Sequence, residues 1–180
     1  MPLLDHPDAK AFVLHWGEMG THWGVNRSVA QIHALLFLAD HPLHAEAIVD
    51  HLRLARSNVS TALKELQGYG IVRRVHVEDD RRDHFVAEHD LWEMLLRITA
   101  ERKRREIDPT IELLRDLSER LAADPAAPPH LRERIGRLHD FMGTLGGWYD
   151  QVRGLPNPTL VALMKLGAKV ARFIPGAKKK

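Results

Sequence analysis

A chain of 180 residues holds one domain or two small ones, and the absence of cysteine excludes a disulfide framework and thiolate chemistry. Lysine and arginine number 26 against 24 aspartates and glutamates, so this is no bulk-charge binder of polyanions, and any affinity for nucleic acid must come from local placement of charge. No apolar run is long enough to span a bilayer, and Met1-Pro2-Leu3-Leu4-Asp5-His6-Pro7 lacks the regions of a signal peptide, so the expected location is the cytoplasm.

Residues 8–24 read as a first helix, in which Phe12, Trp16, Met19 and Trp23 form an unbroken apolar stripe. Gly17, Gly20 and Gly24 lower its intrinsic stability, so it should depend on packing against a partner. Their spacing is wrong for a nucleotide loop. Asn26 or Ser28 can cap a second helix, with Val29, Ile32, Leu35, Leu36 and Leu38 as its apolar face. It should end at His41-Pro42, because a residue before proline avoids the helical region. A third helix is expected from about 44 to 52, burying Ala47, Ile48 and Leu52, and Arg53-Leu54-Ala55 then connects it to a fourth.

The fourth helix carries the argument. Val59, Leu63 and Leu66, with Ala62 beside them, make one face apolar. Ser57, Ser60, Thr61 and Lys64 fall on the opposite face, with Asn58 at its edge and Arg56 at its start. A helix that reads DNA needs short polar groups that admit the backbone, and longer ones that reach base edges and phosphates. A merely solvated helix would carry better helix formers than Ser, Asn and Thr. Asn58-Val59-Ser60 matches a glycosylation acceptor, but it sits inside this helix and is set aside.

Gly68 and Gly70 stop the helix, and 71–77 alternate as a strand. Residues 78–83 read as a polar turn, and 84–87 as a returning strand. Two short helices joined by a tight turn, then a hairpin, are the order of a winged helix-turn-helix. The turn should bring Arg81 and Arg82 to the DNA backbone or minor groove. Arg73 and Arg74 are placed for phosphates, with pairing to Glu78, Asp79, Asp80 and Asp83 as the alternative for all four arginines.

After the hairpin, Asp90 can cap a long helix carrying Leu91, Leu95 and Ile98. The run Arg102-Lys103-Arg104-Arg105 is more simply a solvated face than a second DNA contact. Asp108-Pro109 reads as a cap and first-turn proline that break or kink the helix. Ile111, Leu114, Leu117 and Leu121 continue the stripe up to a loop at 124–129. Leu131, Ile135, Leu138, Met142, Leu145 and Tyr149 then alternate steps of four and three, a seam against another helix. The tail restarts at Asn157-Pro158 as a basic amphipathic helix, with Leu160, Leu163, Met164, Val170, Ala171 and Ile174 on one side and Lys178-Lys179-Lys180 at its end. Packing on the helical hairpin is favoured over a membrane surface.

The order Trp23-Gly24, Ala30-x-Ile32, Leu36-x-Leu38, Pro42-Leu43, Ile48-x3-Leu52, Ser57-Asn58-Val59-Ser60, Leu63-x2-Leu66, Gly70-Ile71-Val72 and Arg81-Arg82 resembles MarR-type winged-helix regulators. Within them it is most similar to the GbsR-type subgroup, some of whose members answer to choline or glycine betaine. The resemblance covers residues 17–105 and is looser beyond. It implies a homodimeric transcriptional repressor on double-stranded DNA, released by a small-molecule effector. A quaternary ammonium effector would suit the aromatic faces of Trp16, Trp23 and Trp92, although tryptophan at helical spacing also serves as plain core.

The twelve histidines offer only His41-x2-His44 as a ligand-like pair, and it straddles a turn without completing a metal set. No catalytic motif is present, so neither an enzyme nor a cofactor is expected. The expected fold is mainly α: a winged helix at 25–89 with one β-hairpin wing, plus a helical dimerisation region made by the first helix (1–24) and residues 90–180. The rival function is a winged helix used as a protein-interaction module, which the polar Ser/Asn/Thr face disfavours.

Overall fold

The structure is a computed structural model that describes residues 3–167 and Lys169. Val170, Ala171, Ile174 and the terminal lysines of the expected tail helix lie outside the described residues. The chain divides into two compact units, Met1–Glu101 and Arg102–Lys180.

In the first unit, helix α1 (Pro7–His22) is capped by the His6 ring, which accepts the Asp8 N–H at 3.2 Å. It packs against α2 (Arg27–Leu38), whose cap is Asn26, accepting the Ser28 N–H at 2.9 Å. The α1 glycines make this packing. A β-carbon on Gly20 would stand 2.4 Å from the Ala30 Cβ, and one on Gly17 2.6 Å from the Gln31 Cγ. What they cost in helix propensity is thus recovered as close approach of two backbones.

Strand β1 (Leu43–His44) follows, and the His44 ring caps α3 (Ala45–Leu52) by accepting the Ala47 N–H at 3.1 Å. Arg53 ends α3 in the left-handed region at φ 52, and α4 (Arg56–Gly68) begins after a two-residue step. Gly70, at φ 71, turns the chain into β2 (Val72–Val77), which pairs antiparallel with β3 (Asp80–Ala87). The sheet order is β1-β3-β2, with Leu43 opposite Phe85 and His44 opposite His84. Beyond the expected hairpin, the sheet therefore has a third, short strand.

The turn is also tighter than its polar composition suggests. Only Glu78 and Asp79 form it, with Asp79 at φ 63, so Arg81 and Arg82 belong to β3. A bulge between Val75 and Val77 absorbs the register difference. Asp90 caps α5 (Leu91–Arg102), accepting the Trp92 and Glu93 N–H groups at 2.9 and 3.0 Å. Arg97 on α5 donates to the Gly70 carbonyl at 2.6 Å and to Glu93 at 2.8 Å.

One core holds these elements. Val29, Ile32, Leu35 and Leu36 of α2 meet Ile48 of α3, Val59, Ala62, Leu63 and Leu66 of α4, and Val72, Phe85 and Ala87 of the sheet. Each large apolar side chain contributes roughly 1.5–3 kcal/mol on burial.

The second unit opens with a π-helical turn (Lys103–Ile107) that runs into α6 (Asp108–Ala123). Asp108 is not the cap expected of it. Its backbone is helical (φ −58, ψ −45) and its carboxylate accepts from the Lys103 Nζ at 2.6 Å. The π turn accommodates the change of register before Pro109. Lys103 also lies 3.2 Å from Asp150 on α7 (Pro129–Arg153), and the two carboxylates, Asp108 first, raise its pKa. This lysine of the basic run is mostly buried and internally paired.

The six-residue seam of α7 splits. Ile135, Met142 and Tyr149 are half-buried, while Leu131, Leu138 and Leu145 are exposed with Phe141 and Trp148. Gly146 on the inner face admits Ile111, whose Cδ1 would lie 3.0 Å from an added β-carbon. Helix α8 (Asn157–Leu166) buries Leu160. No helix among the described residues is long and apolar enough to cross a membrane.

His33 is the polar exception in the first core: it is 5% exposed, and its Nε2 has no partner among the described residues. Burial between Trp16 and Phe37 pushes its pKa down to about 4. The unfolded chain therefore holds a proton that the folded one refuses. Stability from this site is complete above the unfolded value near 6.5 and is lost as pH falls towards 4. The shift corresponds to roughly 3 kcal/mol. Urea denaturation between pH 7 and 4 should show the parent losing that much more than His33→Leu.

Candidate nucleic-acid interface

Burial of Val59, Ala62, Leu63 and Leu66 leaves the other side of α4 to solvent. Arg56, Ser57, Asn58, Ser60, Thr61 and Lys64 are all exposed. Among the described residues, the side chains of Ser57, Asn58, Ser60 and Thr61 make no intramolecular hydrogen bond. Four short donor-acceptor groups on one helix face thus keep their full capacity for an external partner. Ala55 provides no side-chain cap at the start of α4, so the first-turn amides are open too, the arrangement that suits phosphate.

The six cations assigned to this face fall into two sets. Lys64, Arg73 and Arg81 are exposed and have no acidic partner among the described residues. Arg56, Arg74 and Arg82 are each paired. Arg56 donates to Glu46 in the first turn of α3, and Arg74 to Asp83 across the hairpin at 3.1 Å. Arg82 grips Asp80 through its backbone N–H at 2.9 Å and through Nε and Nη2, the latter at 2.5 Å. Those bonds hold the Asp80 carboxyl well below the usual carboxylate range and raise Arg82 in return. Of the acids offered as partners, Asp80 and Asp83 are used, whereas Glu78 and Asp79 pair with none of these arginines.

Behind this pair lies His84, 5% exposed. Its Nδ1 lies 2.9 Å from the Arg82 carbonyl, which can only accept, so Nδ1 carries the hydrogen. Its Nε2 is 3.4 Å from Asp80. The His44 ring meets His84 edge-on at 5.5 Å. Glu46 and His84 escaped the sequence reading; a carboxylate in the first turn of a helix was the only local sign of the former.

The tryptophans divide as well. Trp16 and Trp23 meet edge-on at 5.7 Å, Phe12 stacks on Trp16 at 5.5 Å, and Trp23 is 50% exposed. Trp92 is half-buried at the start of α5 and makes no ring contact with either. A separate cleft of about 780 Å³ is lined by Lys10, Val13, Gln31, Asp50 and Arg53 among others, and by none of the tryptophans. His41, of the ligand-like histidine pair, is taken by Asp40 at 2.5 Å, and His44 by its capping role.

Residues 23–83 match the family model described as MarR family. The chain is 22% identical over 157 residues to the HTH-type transcriptional repressor GbsR of Bacillus subtilis (strain 168), covering 85% of this chain and 83% of that protein. A crystal structure described as a transcriptional regulator matches with a TM-score of 0.63 at 23% identity, over 82% of this chain and 97% of the other, and shares its fold. The matched segment holds α2, α3, α4 and most of the hairpin, the elements that build the polar face, and over this segment the chain is similar to the MarR family.

Proposed function

We propose that this chain is a homodimeric, sequence-specific repressor that reads duplex DNA with α4 and steadies it with the β2–β3 wing. The observation that carries this reading is the face of α4. Its Ser57, Asn58, Ser60 and Thr61 side chains are exposed and have no hydrogen-bond partner among the described residues, and Lys64, Arg73 and Arg81, without acidic partners among them, lie on the helix and the wing. A protein-binding module would instead expose aromatic or aliphatic anchors there. In the same reading Arg56 lies at the start of the reader helix, and Arg74, Arg81 and Arg82 lie along the wing. The expected readout is salt-dependent retention on duplex DNA. Lys64→Ala should weaken all sequences alike and flatten the salt slope by about one unit. Asn58→Ala should reduce discrimination between sites by about 1–3 kcal/mol if it meets a base edge with two bonds. Footprints of both variants identical to the parent's would remove α4 as the reader.

The dimer part of the reading draws on α7. Leu131, Leu138, Phe141, Leu145 and Trp148 are 40–62% exposed and recur at steps of seven, three, four and three. So many large apolar side chains on one helix face mark an association surface, and regulators of this type usually act as dimers. Because Leu138 is 45% exposed within its own chain, a charge there spares the fold of the monomer and strikes only the association. Leu138→Glu should sediment as a folded monomer and bind its operator far more weakly, since one half-site loses the effective concentration of the second. An intact dimer of this variant would place the interface elsewhere.

An effector belongs to the same proposal. The aromatic pair of Trp16 and Trp23 supplies the kind of ring that attracts a quaternary ammonium ion, each ring worth roughly 0.5–2 kcal/mol. Such a ligand would act only through its differential affinity for two arrangements of the reader helices. Choline at millimolar concentration should quench tryptophan emission and release operator in the parent, and do neither in Trp23→Ala. Choline that leaves the parent's emission and binding untouched would leave the two rings as core.

A further inference from the structure

Glu46 lies where the start of the reader helix and the wing come together. It is the second residue of α3, and one carboxylate oxygen accepts from Arg56, the first residue of α4. Its other oxygen lies 3.9 Å from the guanidinium of Arg82 in β3. One acid thus stands between the start of the reader helix and the wing, facing an arginine from each. All three side chains are half-exposed or more, Arg56 at 73%, and ion pairs so exposed contribute little to stability. The first turn of α3 already favours an acid without either arginine.

We infer that Glu46 is a specificity-determining residue of the DNA-binding surface. This rests on the DNA-reading function proposed above. A duplex that offers only phosphates meets an Arg56 half-neutralised by Glu46, beside an Arg82 that Asp80 already holds, and must displace the carboxylate or tolerate its repulsion. A matched site offers Arg56 a base edge, and a guanidinium has donors enough to serve two acceptors at once. There Glu46 keeps one edge of Arg56 and fixes its plane while the other edge reads. The same carboxylate therefore opposes the non-specific complex and orients the specific one. Asp80 does not share this role, since it binds only within the wing, to Arg82 and beside His84.

The test compares Glu46→Gln with Glu78→Gln. Glu78 is an exposed carboxylate of the wing turn that pairs with neither arginine, so its loss removes the same charge without the contact. Binding is measured against a duplex selected by the parent from a random pool and against an alternating non-specific duplex, over a range of salt. Glu46→Gln should bind non-specific duplex about three- to tenfold more tightly at low salt, with a steeper salt slope as the freed Arg56 takes up a phosphate. The ratio of specific to non-specific affinity should fall by about tenfold or more, and this fall should be absent when Arg56→Gln is already present. Glu78→Gln should leave the ratio near the parent's. Equal behaviour of Glu46→Gln and Glu78→Gln would reduce Glu46 to bulk charge and overturn the inference alone. A parent that shows no salt-dependent retention on duplex DNA would overturn the DNA-reading function itself, and this inference with it.

Discussion

The polar side of α4 has its character because the other side is anchored. Val59, Ala62, Leu63 and Leu66 are at most 3% exposed and lie in one cluster with Ile32, Leu35 and Leu36 of α2 and with Phe85 of β3. A helix of 13 residues would be marginal alone in water. Held by its apolar stripe, it has no rotational freedom about its axis, because a turn of one residue would expose leucines and bury serines. The register of the exposed face is thus set by packing rather than by any contact that face makes. Residues that are weak helix formers can therefore occupy it, and their selection is left to what they meet outside.

Charge on this surface is arranged on a different principle. Arginines sit beside carboxylates from neighbouring elements: Arg56 with Glu46, Arg74 with Asp83 and Arg82 with Asp80. With net charge near zero for the whole chain, such pairing keeps the field short-ranged, and salt screens what remains beyond about a Debye length, ~8–10 Å. In the proposed DNA complex, Lys64, Arg73 and Arg81, which have no acidic partner among the described residues, are the ones that supply attraction. The paired ones hold their side chains in place until something with better geometry arrives.

Much of the winged helix was legible because its signals are periodic. Leucines and valines at three- and four-residue steps give α2 and α4, Asn26 gives a start, and Gly70 gives a stop. What could not be read is non-local. Residues 78–83 are all charged, and composition calls such a stretch a loop, yet ladder hydrogen bonds to β2 make most of it strand. Strand β1 is too short to show a period. Asp108-Pro109 looks like a helix start, but Lys103 claims the carboxylate and a π turn carries the chain through. Gly17 and Gly20 read as weaknesses because the facing Gln31 and Ala30 are on another helix. The α7 pattern was visible, but periodicity alone does not say which half of a seam a helix keeps for itself. Glu46 precedes Arg56 by ten residues, with a turn between them, and no local pattern joins them.

The three-strand arrangement has a mechanical consequence. At its root, β3 has a neighbour on each edge, with His84 and Phe85 bonded between β1 and β2. Towards the tip it has only β2, and the ladder there is interrupted by the bulge. The wing is thus a cantilever, stiff where it joins the body and compliant over the last few residues, where backbone bonds open at lower free energy. Minor-groove width varies with base sequence. In the DNA complex proposed above, a tip that bends while its root stays fixed follows that variation without disturbing α4, so the groove is met by a compliant wing tip and the bases by a rigid helix.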